Sequence, residues 1–130
     1  MKPTHRQPAF GLQRAYEATD DRGGYRVLVD RLWPRGVKKE DAALDEWIKD
    51  VAPSAELRRW YGHDPTRFEE FTRRYRDELS RPPASDAVAH LRGLAGEQHV
   101  VLVTATGDVD HSGARVLHDH LLDTTAGAPA

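Results

Sequence analysis

The chain has 130 residues, 38% of them hydrophobic and 31% charged, with a formal net charge of −2 and no cysteine. That is enough for one soluble domain with a real core and a highly charged surface. It excludes disulfides, thiolate zinc sites and cysteine-nucleophile chemistry, offers no run near the ~20 apolar residues of a membrane span, and leaves no overall basic footprint for nucleic acid.

In chain order, Met1 to Arg6 lacks the apolar stretch of a signal peptide, so a cytoplasmic location is the expectation. Residues 1–9 read as a flexible N-terminus, 10–123 as a single α/β domain and 124–130 as a flexible tail. Phe10 to Tyr16 is a candidate strand, and Thr19 to Gly24 a polar turn with paired glycines. Tyr25 to Asp30 is β-branched, bounded by breakers and predicted as a buried strand. Lys38 to Ala43 is consistent with a short helical turn, and the alternation in Leu44 to Lys49 with a short edge strand.

Ser54 is a good N-cap for a helix that carries Glu56 in its first turn and stops near Gly62-His63. Asp64-Pro65 opens the next helix, whose Phe68, Phe71, Tyr75 and Leu79 form a core-packing stripe. After Pro82-Pro83, Ser85 is placed to cap a third helix bearing Ala87, Val88, Leu91 and Leu94. His99 to Thr104 reads as a strand buried on both faces, followed by the loop Ala105 to Asp110 and a last helix from about Ser112. Strand, helix, helix, strand, helix implies a small parallel sheet with helices packed on it.

Two strand ends carry chemistry. Asp30-Arg31-Leu32-Trp33-Pro34-Arg35-Gly36 follows the first buried strand, and Asp108 to His111 follows the last. In a parallel sheet both reach the carboxyl edge, where ligands bind. Asp30, Asp108 and His111 are the candidate catalytic groups, as general acid/base or hydrogen-bonding residues. Arg31 and Arg35 suit a bidentate clamp on an anion, and Trp33 a stacking surface. Lys49 and Arg58 are expected to face the same region. Against this, Asp30 paired with a local arginine, a helix-capping Asp108 or Asp110 and solvated arginines would be purely structural.

Arginine concentrates in the first half, at positions 22, 26, 31, 35, 58 and 59. A local basic mouth on a mildly acidic protein suits a small anionic ligand better than a long polyanion. His111, His118 and His120 lack the i, i+4 spacing of helical zinc sites, so no metal is expected; no nucleotide-loop or hydrolase motif is present.

These residues carry a resemblance. Asp30 to Gly36, Trp47 to Ser54, Leu57 to His63 and the Phe68–Leu79 helix resemble the YeaO-like branch of the domain-of-unknown-function 488 proteins, over roughly Gly24 to Leu122. The resemblance implies a bacterial or archaeal cytoplasmic protein with a compact single-domain, three-layer, Rossmann-like α/β fold: a small, mostly parallel sheet flanked by helices. It supplies no established reaction and leaves any cofactor unknown, and it points to Asp30, Arg31, Trp33, Arg35, Lys49, Arg58, His63, Asp108 and His111. The chain departs from that branch where relatives tend to carry a tyrosine, a basic residue, an asparagine and a second histidine; here stand Thr104, Gly107, Ser112 and Gly113.

The expectation is therefore a small α/β protein with a site for an anionic or nucleotide-like ligand at the strand edge. A non-catalytic binding module is the alternative to an enzyme, and a nucleic-acid-associated protein a third reading that the net charge disfavours. Monomer and homodimer both remain open.

Overall fold

The computed structural model describes residues 9–15, 24–39 and 43–123. The expected N-terminal segment up to residue 8, the turn at 19–23, the middle of the 38–43 turn and the 124–130 tail lie outside the described residues, as does the end of the first predicted strand at Tyr16.

Four strands form one all-parallel sheet: β1 (Phe10–Arg14), β2 (Tyr25–Leu28), β3 (Glu46–Trp47) and β4 (Val100–Thr104), in the order β1-β4-β2-β3. Phe10 of β1 and Tyr25 of β2 both pair with Val100, so β1, β4 and β2 start level and their carboxyl ends emerge together. β4 runs Val-Val-Leu-Val-Thr and every residue of it is buried, which a central strand covered on both faces requires. β2 is two residues shorter than its apolar pattern suggests. The Val29 N–H still donates to the Val103 carbonyl at 3.1 Å, but Asp30 leaves the ladder.

The helices are α1 (Ala55–Tyr61), α2 (Phe68–Leu79), α3 (Ala84–Ala95) and α4 (Gly113–Leu122). Ser54 caps α1 by accepting from the Leu57 N–H, and Gly62 closes it in the left-handed conformation (φ 56°) that favours glycine. The Asp64-Pro65 start signal opens a single 3-10 turn, Pro65–Arg67, which runs directly into α2. Ser85 does not cap α3. The helix begins two residues earlier than that cap would give, at Ala84, with Pro83 in the cap position and no side-chain cap, because proline's fixed φ already suits entry into the helix. Ser112 caps α4 by accepting from the Arg115 N–H.

Phe71, Tyr75 and Leu79 of α2 meet Val88 and Leu91 of α3, Leu117 and Leu121 of α4, and Val27, Val29 and Leu102 of the sheet in one core. Burying each such side chain contributes about 1.5–3 kcal/mol. Alternation along the strands turns Arg26, Leu28, Val101 and Val103 to the other face, and all four are buried. There the Arg26 Nε donates to the Ala43 carbonyl at 3.0 Å and Nη1 to Gln13, while Trp33 meets Trp47 edge to face with centroids 5.5 Å apart. The result is the expected α/β domain with a small parallel sheet. Among the described residues its helices share one face. No helix among them is long and apolar enough to cross a membrane.

Candidate functional site

The carboxyl ends of β2 and β4 are fastened to each other by one side chain. Asp30, the first residue beyond the β2 ladder, accepts from the Thr104 hydroxyl and from the Ala105 N–H, each at 2.7 Å. Its own carbonyl accepts from the Trp47 indole at 2.7 Å, which ties in the end of β3. Burial pushes the Asp30 carboxyl above its usual range; the Ala105 N–H, the Thr104 hydroxyl and the Arg58 charge pull the other way without cancelling it. The structural alternative of a local arginine partner is replaced by a clasp between strands.

Around this clasp opens a cleft of about 550 Å³. Its base is buried and largely apolar: Val29 from β2, Phe71 and Tyr75 from α2, and Ala114 from the first turn of α4. Tyr61 and Phe71 stack with centroids 4.3 Å apart, which stiffens one wall. Tyr75 and Tyr61 spend their hydroxyls on carbonyls, of Val51 and His111, each at 2.5 Å. The exposed rim is cationic. Arg35 comes from the Trp-Pro-Arg turn, Arg58 and Arg59 from the last turn of α1, His63 from the residue after the helix stop and His111 from the 3-10 turn before α4. His63 is held at φ 56°, a conformation that costs a non-glycine residue on the order of 1 kcal/mol.

Of the residues singled out in the sequence, Asp30, Arg31, Trp33, Arg35, Arg58, His63 and His111 line this cleft. Two do not. Lys49 lies over the Trp47 ring, 4.3 Å from its centroid, in a separate groove shared with Glu46 and His90. Asp108 stands behind His111, its Oδ2 3.0 Å from Nδ1, so it orients the ring without reaching the cavity. Trp33 is less available for stacking than its sequence suggests: its Nε1 donates to the Val37 carbonyl at 2.6 Å and its ring packs on Trp47.

The sequence reading missed the apolar base, because Phe71 and Tyr75 look like ordinary core residues. Arg59, counted there among the first-half arginines but not singled out as a site residue, reaches the rim beside Arg58. The i, i+4 spacing of Phe71 and Tyr75 beside the stacked Tyr61 was the available signal. Among the described residues no three histidines or acids cluster so as to hold a metal ion.

The charges of the rim are unusual for this chain. Arg67, Arg73, Arg74, Arg76, Arg81 and Arg115 all sit within ion-pair distance of an aspartate or glutamate. Among the described residues Arg31, Arg58 and Arg59 make no such pair. Arg31 is held only by a 3.3 Å bond from Nη2 to the Pro53 carbonyl, and its Nε is buried without an acceptor.

The positions that depart from the YeaO-like pattern all lie beside this cleft or on the loop that borders it. The Thr104 hydroxyl goes to Asp30, and Ser112 caps α4. Gly113 packs so closely on Pro53 that a Cβ there would stand 2.9 Å from the proline Cγ, so a larger residue requires Pro53 to move. At Gly107 a side chain would meet nothing within 4 Å.

This parallel-sheet architecture and its strand-edge cleft coincide with a family match. A family model described as "Inactive DUF488-N3 subclade" matches residues 9–129, and the chain belongs to the DUF488 family. Its relatives include an uncharacterised protein of Mycobacterium tuberculosis, 50% identical over 112 residues that cover 86% of this chain and 92% of that one. The uncharacterised protein YeaO of Escherichia coli is 38% identical over 109 residues, 84% of this chain and 93% of its own. No solved structure matches.

Proposed function

We propose that this protein binds a small anionic ligand, of the nucleotide-like kind, at the carboxyl edge of its sheet and does not turn it over. The observation that carries this reading is that Arg31, Arg58 and Arg59, at the cleft, have no carboxylate partner among the described residues. An anion in the cleft would accept charge-assisted hydrogen bonds from guanidiniums that no carboxylate of the described residues engages. Asp30 does not take that role: its oxygens accept from Thr104 and Ala105, and no arginine of the described residues comes within ion-pair distance of it.

The same clasp argues against Asp30 as a general base. A base must reach the proton it abstracts, and both Asp30 oxygens face donors of the protein itself. The family description as inactive supports binding without turnover. A cytoplasmic, bacterial setting accords with the relatives and belongs to the same proposal.

One arrangement favours an enzymatic reading. His111 is exposed at the cleft, its Nδ1 faces Asp108, and Nε2 makes no hydrogen bond among the described residues. A carboxylate-oriented imidazole is a usable acid/base.

Thermal melting with pyrophosphate and with adenosine monophosphate at low salt separates the cases. A rise in melting temperature, lost in Arg31→Gln and Arg58→Gln, is expected. Unchanged melting with either anion would overturn the binding reading. Release of phosphate, abolished by His111→Gln, would replace it by the enzymatic one.

A further inference from the structure

We infer that the ligand class this cleft fits is a phosphate ester on an apolar or planar body, with Arg31 as the residue that reads the head group. This rests on the anion-binding reading above and adds the ligand class to it.

The basic residues that line the cleft are arginines and histidines, with no lysine among the described residues. Lysine is a compact point charge, whereas an arginine fork meets two oxygens of one group in a plane. A terminal phosphate ester offers three such oxygens and about −1.5 to −2 charge at neutral pH. It can accept from several guanidiniums together. A carboxylate has two oxygens and one charge, and a sulfonate three oxygens and one charge. Arg31, Arg58 and Arg59, all without ion pairs, match the phosphate head best.

Arg31 differs from the other two. It lines the cleft and also a shallower neighbouring cavity that contains Glu78 and Asp50. Glu78 is an obvious counter-ion there, yet its oxygens accept the Ser54 N–H at 2.9 Å and the Ser54 hydroxyl at 2.6 Å. No carboxylate of the described residues comes within ion-pair distance of Arg31. The guanidinium stands between two cavities on one long bond to Pro53, with its buried Nε unspent. As a lining residue of the cleft, Arg31 offers a head group a guanidinium that no carboxylate of the described residues neutralises.

The apolar base supplies the body requirement. Val29, Phe71, Tyr75 and Ala114 lie beneath the charged rim, and about 550 Å³ is a volume typical of whole small molecules. A bare oxyanion leaves that base wet.

Calorimetric titration at neutral pH and low salt with three probes tests this: phenyl phosphate, benzenesulfonate and inorganic phosphate. Phenyl phosphate is expected to bind roughly tenfold or more tightly than either of the others, because the sulfonate keeps the ring but has less charge and the inorganic ion keeps the charge but has no ring. Arg31→Lys, which keeps the charge and loses the fork, is expected to narrow the gap between phenyl phosphate and benzenesulfonate. Arg58→Gln, on an exposed helix surface, is expected to weaken phenyl phosphate binding even if the Arg31 variant fails to fold. Equal binding of benzenesulfonate and phenyl phosphate overturns the phosphate head. Equal binding of inorganic phosphate overturns the body. Both results leave the anion-binding reading in place. Failure of all three probes to bind wild-type protein removes that reading as well, and unchanged selectivity in a folded Arg31→Lys removes the role given to Arg31.

Discussion

Two carboxylates, Glu70 on the outer face of α2 and Asp30 in the cleft, have opposite electrostatic fates. Glu70 accepts from Arg73 and, at 2.8 Å, from Arg74, and these bonds bring its pKa down to about 2. Asp30 has no arginine of the described residues within ion-pair distance, only the more distant pull of Arg58, and burial raises its pKa. Distance to the guanidiniums and burial together separate them. On the outer face the arginines are committed to acids at hydrogen-bond distance, while in the cleft Arg31, Arg58 and Arg59 pair with no acid among the described residues. The first arrangement stabilises a helix surface; the second leaves positive charge available to something that is not part of the chain.

The comparison can be broken most forcefully where both regions share a helix. α2 carries Glu70 outward and Phe71 inward, against Tyr61 at the cleft base. Phe71→Ala is expected to cost about 3–5 kcal/mol, read as a lowered denaturant midpoint with little change in slope. A loss below ~1 kcal/mol would mean that the base is not a packed part of the core.

Next in size is the contrast between the arginines themselves. Arg31→Gln is expected to weaken anion binding by roughly 10–100-fold, the size of a charge-assisted hydrogen bond. Arg74→Gln, which loosens the pair with Glu70 and the stacking on Trp60, is expected to leave anion affinity unchanged in the same titration. Gly113→Ala tests the narrow wall at Pro53. Overpacking there is expected to cost about 1–3 kcal/mol in thermal melting; a neutral result would show that Pro53 shifts freely.

The smallest effects are in the acid limb. A carboxylate whose folded pKa is lowered gives stability above its unfolded value, here 4.5, that is lost as pH falls toward about 2. Glu70→Gln is therefore expected to flatten the decline in melting temperature across that window. Asp30 has the opposite sign. Its raised pKa makes the charged form costly, so its contribution improves as pH falls through the folded value and worsens as pH rises. Asp30→Asn should remove that opposing slope, and an unchanged pH profile would contradict the burial assigned to Asp30.

Much of this was legible in the chain. The runs at Val27–Val29 and Val100–Thr104 are central strands, and the Phe68-to-Leu79 stripe is a core helix, because side-chain periodicity reports burial directly. Strand order was not legible. Parallel strands are joined by long crossovers, so no local turn fixes their register, and the pairing of Val100 with both Phe10 and Tyr25 is a tertiary fact.

The strand-edge rule brought Asp30, Arg31 and His111 to one cavity, since both chain segments leave parallel strands at the same edge. It also misplaced Lys49 and Asp108, which follow strands but turn away, one onto Trp47 and one behind His111. Direction of a side chain beyond a strand end depends on the loop, and sequence spacing carries little of that. The Asp30–Thr104 clasp was hidden for a similar reason: it joins residues 74 positions apart.

The most direct test compares two double variants by thermal melting with phenyl phosphate at low salt. Arg31→Gln/Arg58→Gln removes uncommitted charge from the cleft, and Arg73→Gln/Arg74→Gln removes committed charge from the outer face. The account predicts equal ligand-induced stabilisation of the wild type and the outer-face variant, and none in the cleft variant. Equal stabilisation of all three proteins, or loss only in the outer-face variant, would contradict it.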